Sequence, residues 1–104
     1  MADCRAPVAV FDSGLGGISV LRELVRTLPR ENYLYFGDSL HAPYGTKTPQ
    51  EVVDLSLQAA DRLLSQGAKA LVVACNTATS AAIRTLRKTY PELAIVGTEP
   101  AIKP

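Results

Sequence analysis

Four short apolar runs alternate with three longer stretches of helical spacing, and this alternation constrains the fold more than any other feature of the chain. The runs are 7–12 (PVAVFD), 32–37 (NYLYFG), 68–75 (AKALVVAC) and 93–97 (LAIVG). Each has strand length and a β-rich composition. Between them, Ile18, Leu21, Leu24, Val25 and Leu28 share one helical face. Val53, Leu57, Ala60 and Leu64 form a second, and Ala82, Ile83, Leu86 and Tyr90 a third. The first and third runs are almost wholly apolar, as parallel strands covered on both faces must be. The order β-α-β-α-β-α-β, closed by right-handed crossovers, predicts an α/β fold. Its form is a four-stranded doubly wound parallel sheet with about three helices.

Local punctuation sets the element ends. Thr48-Pro49-Gln50-Glu51 is a capping box with proline at the first helical position, so the second helix begins near Pro49. Gly67 is placed to close it in the left-handed conformation. Pro29 stops the first helix and Pro91 the third. There is no internal repeat and no low-complexity segment.

Bulk properties remove several function classes. With 104 residues the chain suits one domain, and 11 Lys+Arg against 10 Asp+Glu leave no basic stripe for a nucleic-acid partner. No apolar run approaches the roughly 18 residues a membrane span needs. The first residues carry an early acid and no apolar core of a signal peptide, which predicts a cytoplasmic protein. Cys4 and Cys75 lie far apart, so neither a disulfide framework nor a zinc site is expected, and no metal is assigned.

In open α/β sheets ligands bind outside the carboxyl ends of the strands. Asp12-Ser13-Gly14-Leu15-Gly16-Gly17 follows the first strand, and Gly37-Asp38-Ser39 with His41, Pro43, Tyr44 and Gly45 follows the second. Cys75-Asn76-Thr77 follows the third, and Thr98-Glu99-Pro100 the fourth. Small polar groups, acids, a thiol and glycines thus converge on one rim. The glycine cluster fails the dinucleotide pattern, because Ser19 stands where the third glycine belongs, and it lacks the phosphate-loop ending. It is either a turn capped by Asp12 or Ser13, or a turn whose N–H groups hold a small anion.

Cys75 has two readings of its own. Free cysteines are commonly inert packing. A thiol at a helix N-terminus, however, is favoured in its anionic form, the form that acts as base or nucleophile. His41 is expected to be solvated and without a catalytic partner, and Asp38 to bond the loop backbone. Tyr33, Tyr35 and Phe36 are expected to pack.

Four pieces in order, VFDSGLGGISVLREL (10–24), YFGDSLHAPYGTKT (35–48), VVACNTATSAA (72–82) and VGTEPAIKP (96–104), resemble the N-terminal half of glutamate racemases, within the aspartate/glutamate racemase superfamily. The resemblance implies cofactor-independent interconversion of L- and D-glutamate, which supplies D-glutamate for peptidoglycan. In such enzymes one cysteine thiolate removes the α-proton and a second thiol returns one from the opposite face. Inversion at one carbon requires that arrangement. With no cofactor, oriented hydrogen bonds must stabilise the carbanion.

Carried onto this sequence, Cys75 matches the first catalytic cysteine and Asp12 the aspartate that assists the thiol or the substrate ammonium. Ser13 belongs to the same motif. Pro43, Tyr44 and Gly45 match a substrate-contacting loop, and Asn76 and Thr77 the residues that hold the α-carboxylate. Ser39 and His41 fall where the family varies. The family fold has two lobes, and its second cysteine lies in a GCTH-type motif of the second. Residues 1–97 would then be the first lobe and 98–104 the start of the hinge. Cys4, before the first strand, is expected at the wrong end of the sheet to replace that cysteine. A chain with this one rim cysteine is expected to be nearly inactive alone. Self-association, pairing with a separate second lobe, or a role as a small-carboxylate binding module are the alternatives. A lobe lacking its closing elements would leave a face or edge of the sheet bare.

Overall fold

The computed structural model describes residues 6–13, 17–41 and 44–97, and the expected alternation is present within them. The elements are β1 (Val8–Asp12), α1 (Gly17–Thr27), β2 (Tyr33–Gly37), α2 (Pro49–Leu64), β3 (Ala70–Val73), α3 (Asn76–Thr89) and β4 (Ala94–Gly97). Two short 3₁₀ turns, Ser39–His41 and Tyr44–Thr46, lie between β2 and α2. All strand pairs are parallel, and the order across the sheet is β2-β1-β3-β4.

Residue alternation sorts the two faces. Ala9, Phe11, Leu34, Phe36, Leu71, Val73 and Ile95 share one face and join the principal apolar core with Val52, Ala59, Leu63, Ala78, Ala82 and Leu86 of α2 and α3. The other face carries Val8, Val10, Tyr33, Tyr35, Val72 and Val96. There α1 packs on β1, and the Tyr33 hydroxyl donates to the carbonyls of Leu24 (3.0 Å) and Leu28 (2.8 Å). Helices therefore cover both faces, as a doubly wound sheet requires.

The caps follow the chemistry of their residues. Thr48 Oγ1 accepts the N–H of Glu51 (3.2 Å), while Glu51 Oε1 accepts the N–H of Thr48 (2.8 Å). This reciprocal bonding satisfies two donors that helix geometry leaves orphaned. Gly67 takes φ +91°, two residues past the Ser65 cap and one later than the usual position. One expectation needs correction. β3 ends at Val73, short of Cys75, because Cys75 already serves as the N-cap of α3. The glycine turn 14–16 lies outside the described residues, and with it the choice between a cap by Asp12 or Ser13 and an anion-holding turn; Asp12 itself closes β1.

Candidate active site

The order β2-β1-β3-β4 places a topological switch between β1 and β3: from β1 the chain runs outward to one edge, from β3 to the other. A crevice opens at such a point beyond the carboxyl ends of the strands, where α/β proteins bind ligands. The N–H of Ala74 donates to the carbonyl of Phe11 (2.7 Å), extending the pairing past the last register position. Asp12 with Ser13, and Cys75 with Asn76 and Thr77, are thereby set on neighbouring strand ends.

Cys75 has an extended backbone (φ −108°, ψ 124°), and its Sγ accepts the N–H of Ala78 at 3.4 Å. The thiol thus fills the place usually taken by a Ser or Asp oxygen. It is 8% exposed and packs within the core cluster that includes Tyr44 and Ala78. The residue is packed, and its sulfur is also aimed at the first turn of a helix.

Asp12 is fully buried, and Tyr35 reaches it from β2: the phenol donates to Asp12 Oδ2 at 2.7 Å. Register explains this bond. Val10 faces Tyr35 and Asp12 faces Gly37, so Tyr35, Gly37 and Asp12 lie on one face. A Cβ on Gly37 would stand 2.9 Å from the Tyr35 oxygen and 3.3 Å from Asp12 Oδ1. Glycine leaves the room through which the bridge passes. Burial, then the bond to Asp12 and its charge, push the Tyr35 hydroxyl up to about 12.

A second acid organises the loop after β2. Tyr44 Oη donates to Asp38 Oδ2 at 2.6 Å, and His41 Nδ1–H donates to Oδ1 (2.8 Å) and Oδ2 (3.0 Å). His41, expected to be solvated and unpartnered, is thus paired with Asp38 three residues earlier. Burial opposes the charge of Asp38, but the Tyr44 and His41 hydrogen bonds and the His41 charge outweigh it, and the carboxyl is held below its usual range. Tyr44 is 1% exposed, and its ring meets Phe11 with centroids 6.1 Å apart. Burial chiefly, then the bond to Asp38 and its charge, with smaller effects of Cys75 and Asp12, raise its hydroxyl far above the ordinary phenol range. The phenol therefore remains a donor at any physiological pH.

Asn76 and Thr77 line a cleft of about 620 Å³ with Lys47, Pro49, Val52, Ser80 and Ala81, where the first turns of α2 and α3 meet. One cation and two helix N-termini make it hospitable to a carboxylate. Gly45 is exposed in the turn that packs on α3, with open space where a Cβ would be. Of the residues singled out from sequence, Asp12, Ser13, Tyr44, Gly45, Cys75, Asn76 and Thr77 lie at the strand-end rim or in the turns beside it. Pro43, Cys4, Glu99 and the segment 98–104 lie outside the described residues. No group of three or more His, Cys, Asp or Glu side chains suited to a metal forms among the described residues. Sequence reasoning missed Tyr35 and the role of Asp38. The spacing of Asp38 and His41 was a usable signal for their pairing, whereas Tyr35 needed the register between strands.

No protein-family model matches the chain. Curated relatives do. A glutamate racemase of Clostridium perfringens (strain SM101 / Type A) is 60% identical over 100 residues, covering 96% of this chain and 38% of the relative. One of Stutzerimonas stutzeri (strain A1501) is 56% identical over 104 residues, all of this chain and 39% of the relative. The chain thus spans about two fifths of the length of these relatives. Among solved structures, the glutamate racemase from Thermus thermophilus in complex with β-chloro-D-alanine superposes with a TM-score of 0.87 at 49% identity, covering 91% of this chain and 37% of that one. That of Escherichia coli in complex with L-glutamate and the activator UDP-MurNAc-ala gives a TM-score of 0.87 at 36% identity, covering 95% and 38%.

Proposed function

We propose that this chain, which belongs by sequence and fold to the glutamate racemase family, provides the lobe of a racemase that works on one face of the glutamate α-carbon, with Cys75 as its base. The observation that carries this is Cys75 Sγ at the N-cap of α3, beside the switch-point crevice and in one cluster with Tyr44. In the forward step Cys75 thiolate takes the α-proton and leaves the carbanion electron pair on Cα. A thiol on the other face then delivers a proton. Asp12 assists the thiol or the substrate ammonium, and Asn76 and Thr77 hold the α-carboxylate in the cleft that Lys47 also lines. Ser13, Pro43, Tyr44 and Gly45 complete the substrate contacts, largely through backbone groups. Relatives solved with L-glutamate and with D-glutamate support that substrate. No cofactor is assigned. The product would feed peptidoglycan synthesis in the cytoplasm, and residues 98–104 would begin a hinge.

Cys75 is the one cysteine among the described residues, and Cys4 is expected at the opposite end of the sheet; the opposing thiol is therefore assigned to a second lobe or a second copy. The purified chain, incubated with L-glutamate and followed by chiral chromatography, is expected to give little or no D-glutamate. Robust turnover lost in Cys75→Ala would overturn the one-sided assignment. The cleft with Lys47 favours one other reading, a small-carboxylate binding lobe. Glutamate binding with no exchange of the α-hydrogen in deuterium oxide would select it.

A further inference from the structure

We propose that Asp38 is a positioning residue of this site, holding Tyr44 and the turn 44–46 against Cys75. The inference rests on the racemase reading for its purpose, but its geometry is independent of substrate. Asp38 is almost buried and is tied at three points. Its N–H donates to the Asp12 carbonyl (3.0 Å), which fixes it to the end of β1. Its carboxylate receives Tyr44 Oη (2.6 Å) and, from the outer side, His41 Nδ1 (2.8 Å). Tyr44 in turn packs on Phe11 and shares the core cluster with Cys75 and Ala78, the two residues joined by the N-cap bond. A bonded path therefore runs from the β1 rim through Asp38 to Tyr44, whose turn packs against α3, the helix that Cys75 caps.

Packing alone does not account for the path. A phenylalanine would fill the space of the Tyr44 ring without burying a hydroxyl, and burying a hydroxyl and a carboxylate is unfavourable unless each is bonded. The bonded pair fixes where the ring stands, and because Asp38 is anchored to Asp12, it fixes the ring relative to the rim that carries Cys75. His41 is partly exposed and closes only the outer side of the carboxylate. The inner bond, Tyr44 to Asp38, is the one that sets the position.

The test reads Cys75 directly. Iodoacetamide labelling is followed by peptide mass spectrometry, which separates Cys75 from Cys4, alongside urea unfolding of each variant. Tyr44→Phe and Asp38→Ala are expected to raise the Cys75 labelling rate about tenfold, the scale set by loss of one buried hydrogen bond. This rise should exceed what their change in global stability accounts for. Asp38→Asn keeps an oxygen that accepts the Tyr44 hydroxyl and is expected to restore a rate near wild type. Wild-type labelling in Tyr44→Phe, a rise explained wholly by lowered global stability, or no restoration by Asp38→Asn would each overturn the proposal. Should Asp38→Ala not fold, Tyr44→Phe decides alone. Labelling needs no glutamate, so failure here is distinct from failure of the racemase reading, which the exchange experiment judges.

Discussion

Tyr35 sits in β2 as a strand residue should, its ring on the sheet face beside Val10, yet its hydroxyl is bonded to a fully buried carboxylate on the neighbouring strand. Burial, the bond and the Asp12 charge all favour the protonated phenol, and together push it up to about 12. Replacing Asp12 by Asn removes the charge while leaving the burial. The Tyr35 titration in Asp12→Asn is therefore expected to fall from about 12 toward the ordinary value of 10.0 without reaching it. Carbon-13 NMR of the tyrosine rings, with Tyr35→Phe to assign the signal, measures this; an unchanged midpoint would mean that the bond is not formed in solution. The sign for stability follows from proton counting. Between the unfolded value and the folded one, the native state holds the proton that the unfolded chain has released. Stability linked to Tyr35 is thus present below pH 10.0 and lost as pH rises through about 12. Tyr35 is 37% exposed, so solvent screening keeps this term small.

At the scale of elements, what could be read in advance was what the chain specifies locally. The capping box at Thr48–Glu51 is written in four consecutive residues, and both of its bonds form. Thr48→Ala removes the acceptor for the Glu51 N–H and is expected to cost about 1 kcal/mol. For a domain of this size that is a melting temperature lower by roughly 4–8 °C. Calorimetry on the variant checks it, with Thr48→Ser, which keeps the oxygen, expected close to wild type. The bonds from Thr48, backbone first and then side chain, hold the Glu51 carboxyl below its usual range. The linked stability is therefore present above the unfolded value and lost as pH falls through the folded one. Contacts between elements were less legible. Tyr35 meeting Asp12 depends on which strands are neighbours and on their register, and the order β2-β1-β3-β4 is not written in any single segment. Gly97 is a further case. A Cβ there would stand 2.6 Å from Thr79 Cγ2, a requirement that appears only when α3 is laid on β4. Cys75 lies between these extremes. Its place before a helix was legible, while its identity as the cap in place of an oxygen was not.

For the whole molecule the decisive asymmetry is the cover on the two sheet faces. The row Tyr35–Val10–Val72–Val96 crosses the sheet on the face that α1 packs against. Cover along the row is uneven: Val10 is fully buried, Val72 half-buried, and Val96 in the edge strand β4 is 58% exposed. Val25 and Leu28, on α1 and just beyond it, are exposed as well. The opposite face, under α2 and α3, shows no such gradient at its centre, where Phe11, Leu71 and Val73 are all buried. An apolar row that becomes exposed toward β4, the edge strand among the described residues, is the kind of surface through which chains associate without specificity. Val96 makes the discriminating test because its environment is mostly water while its neighbours' is not. Val96→Thr keeps the β-branched shape that suits a strand and exchanges one methyl for a hydroxyl. The variant is expected to keep its stability within about 0.5 kcal/mol, as surface substitutions do. It should also self-associate at higher concentration than wild type in static light scattering. A parallel change of Val10→Thr buries that hydroxyl without a ready partner and is expected to destabilise by roughly 1–3 kcal/mol. Equal losses of stability at the two positions would show that β4 is covered in solution and that the asymmetry does not hold. Unchanged association in a stable Val96→Thr would instead move the adhesive surface elsewhere, with Val25 and Leu28 next in line.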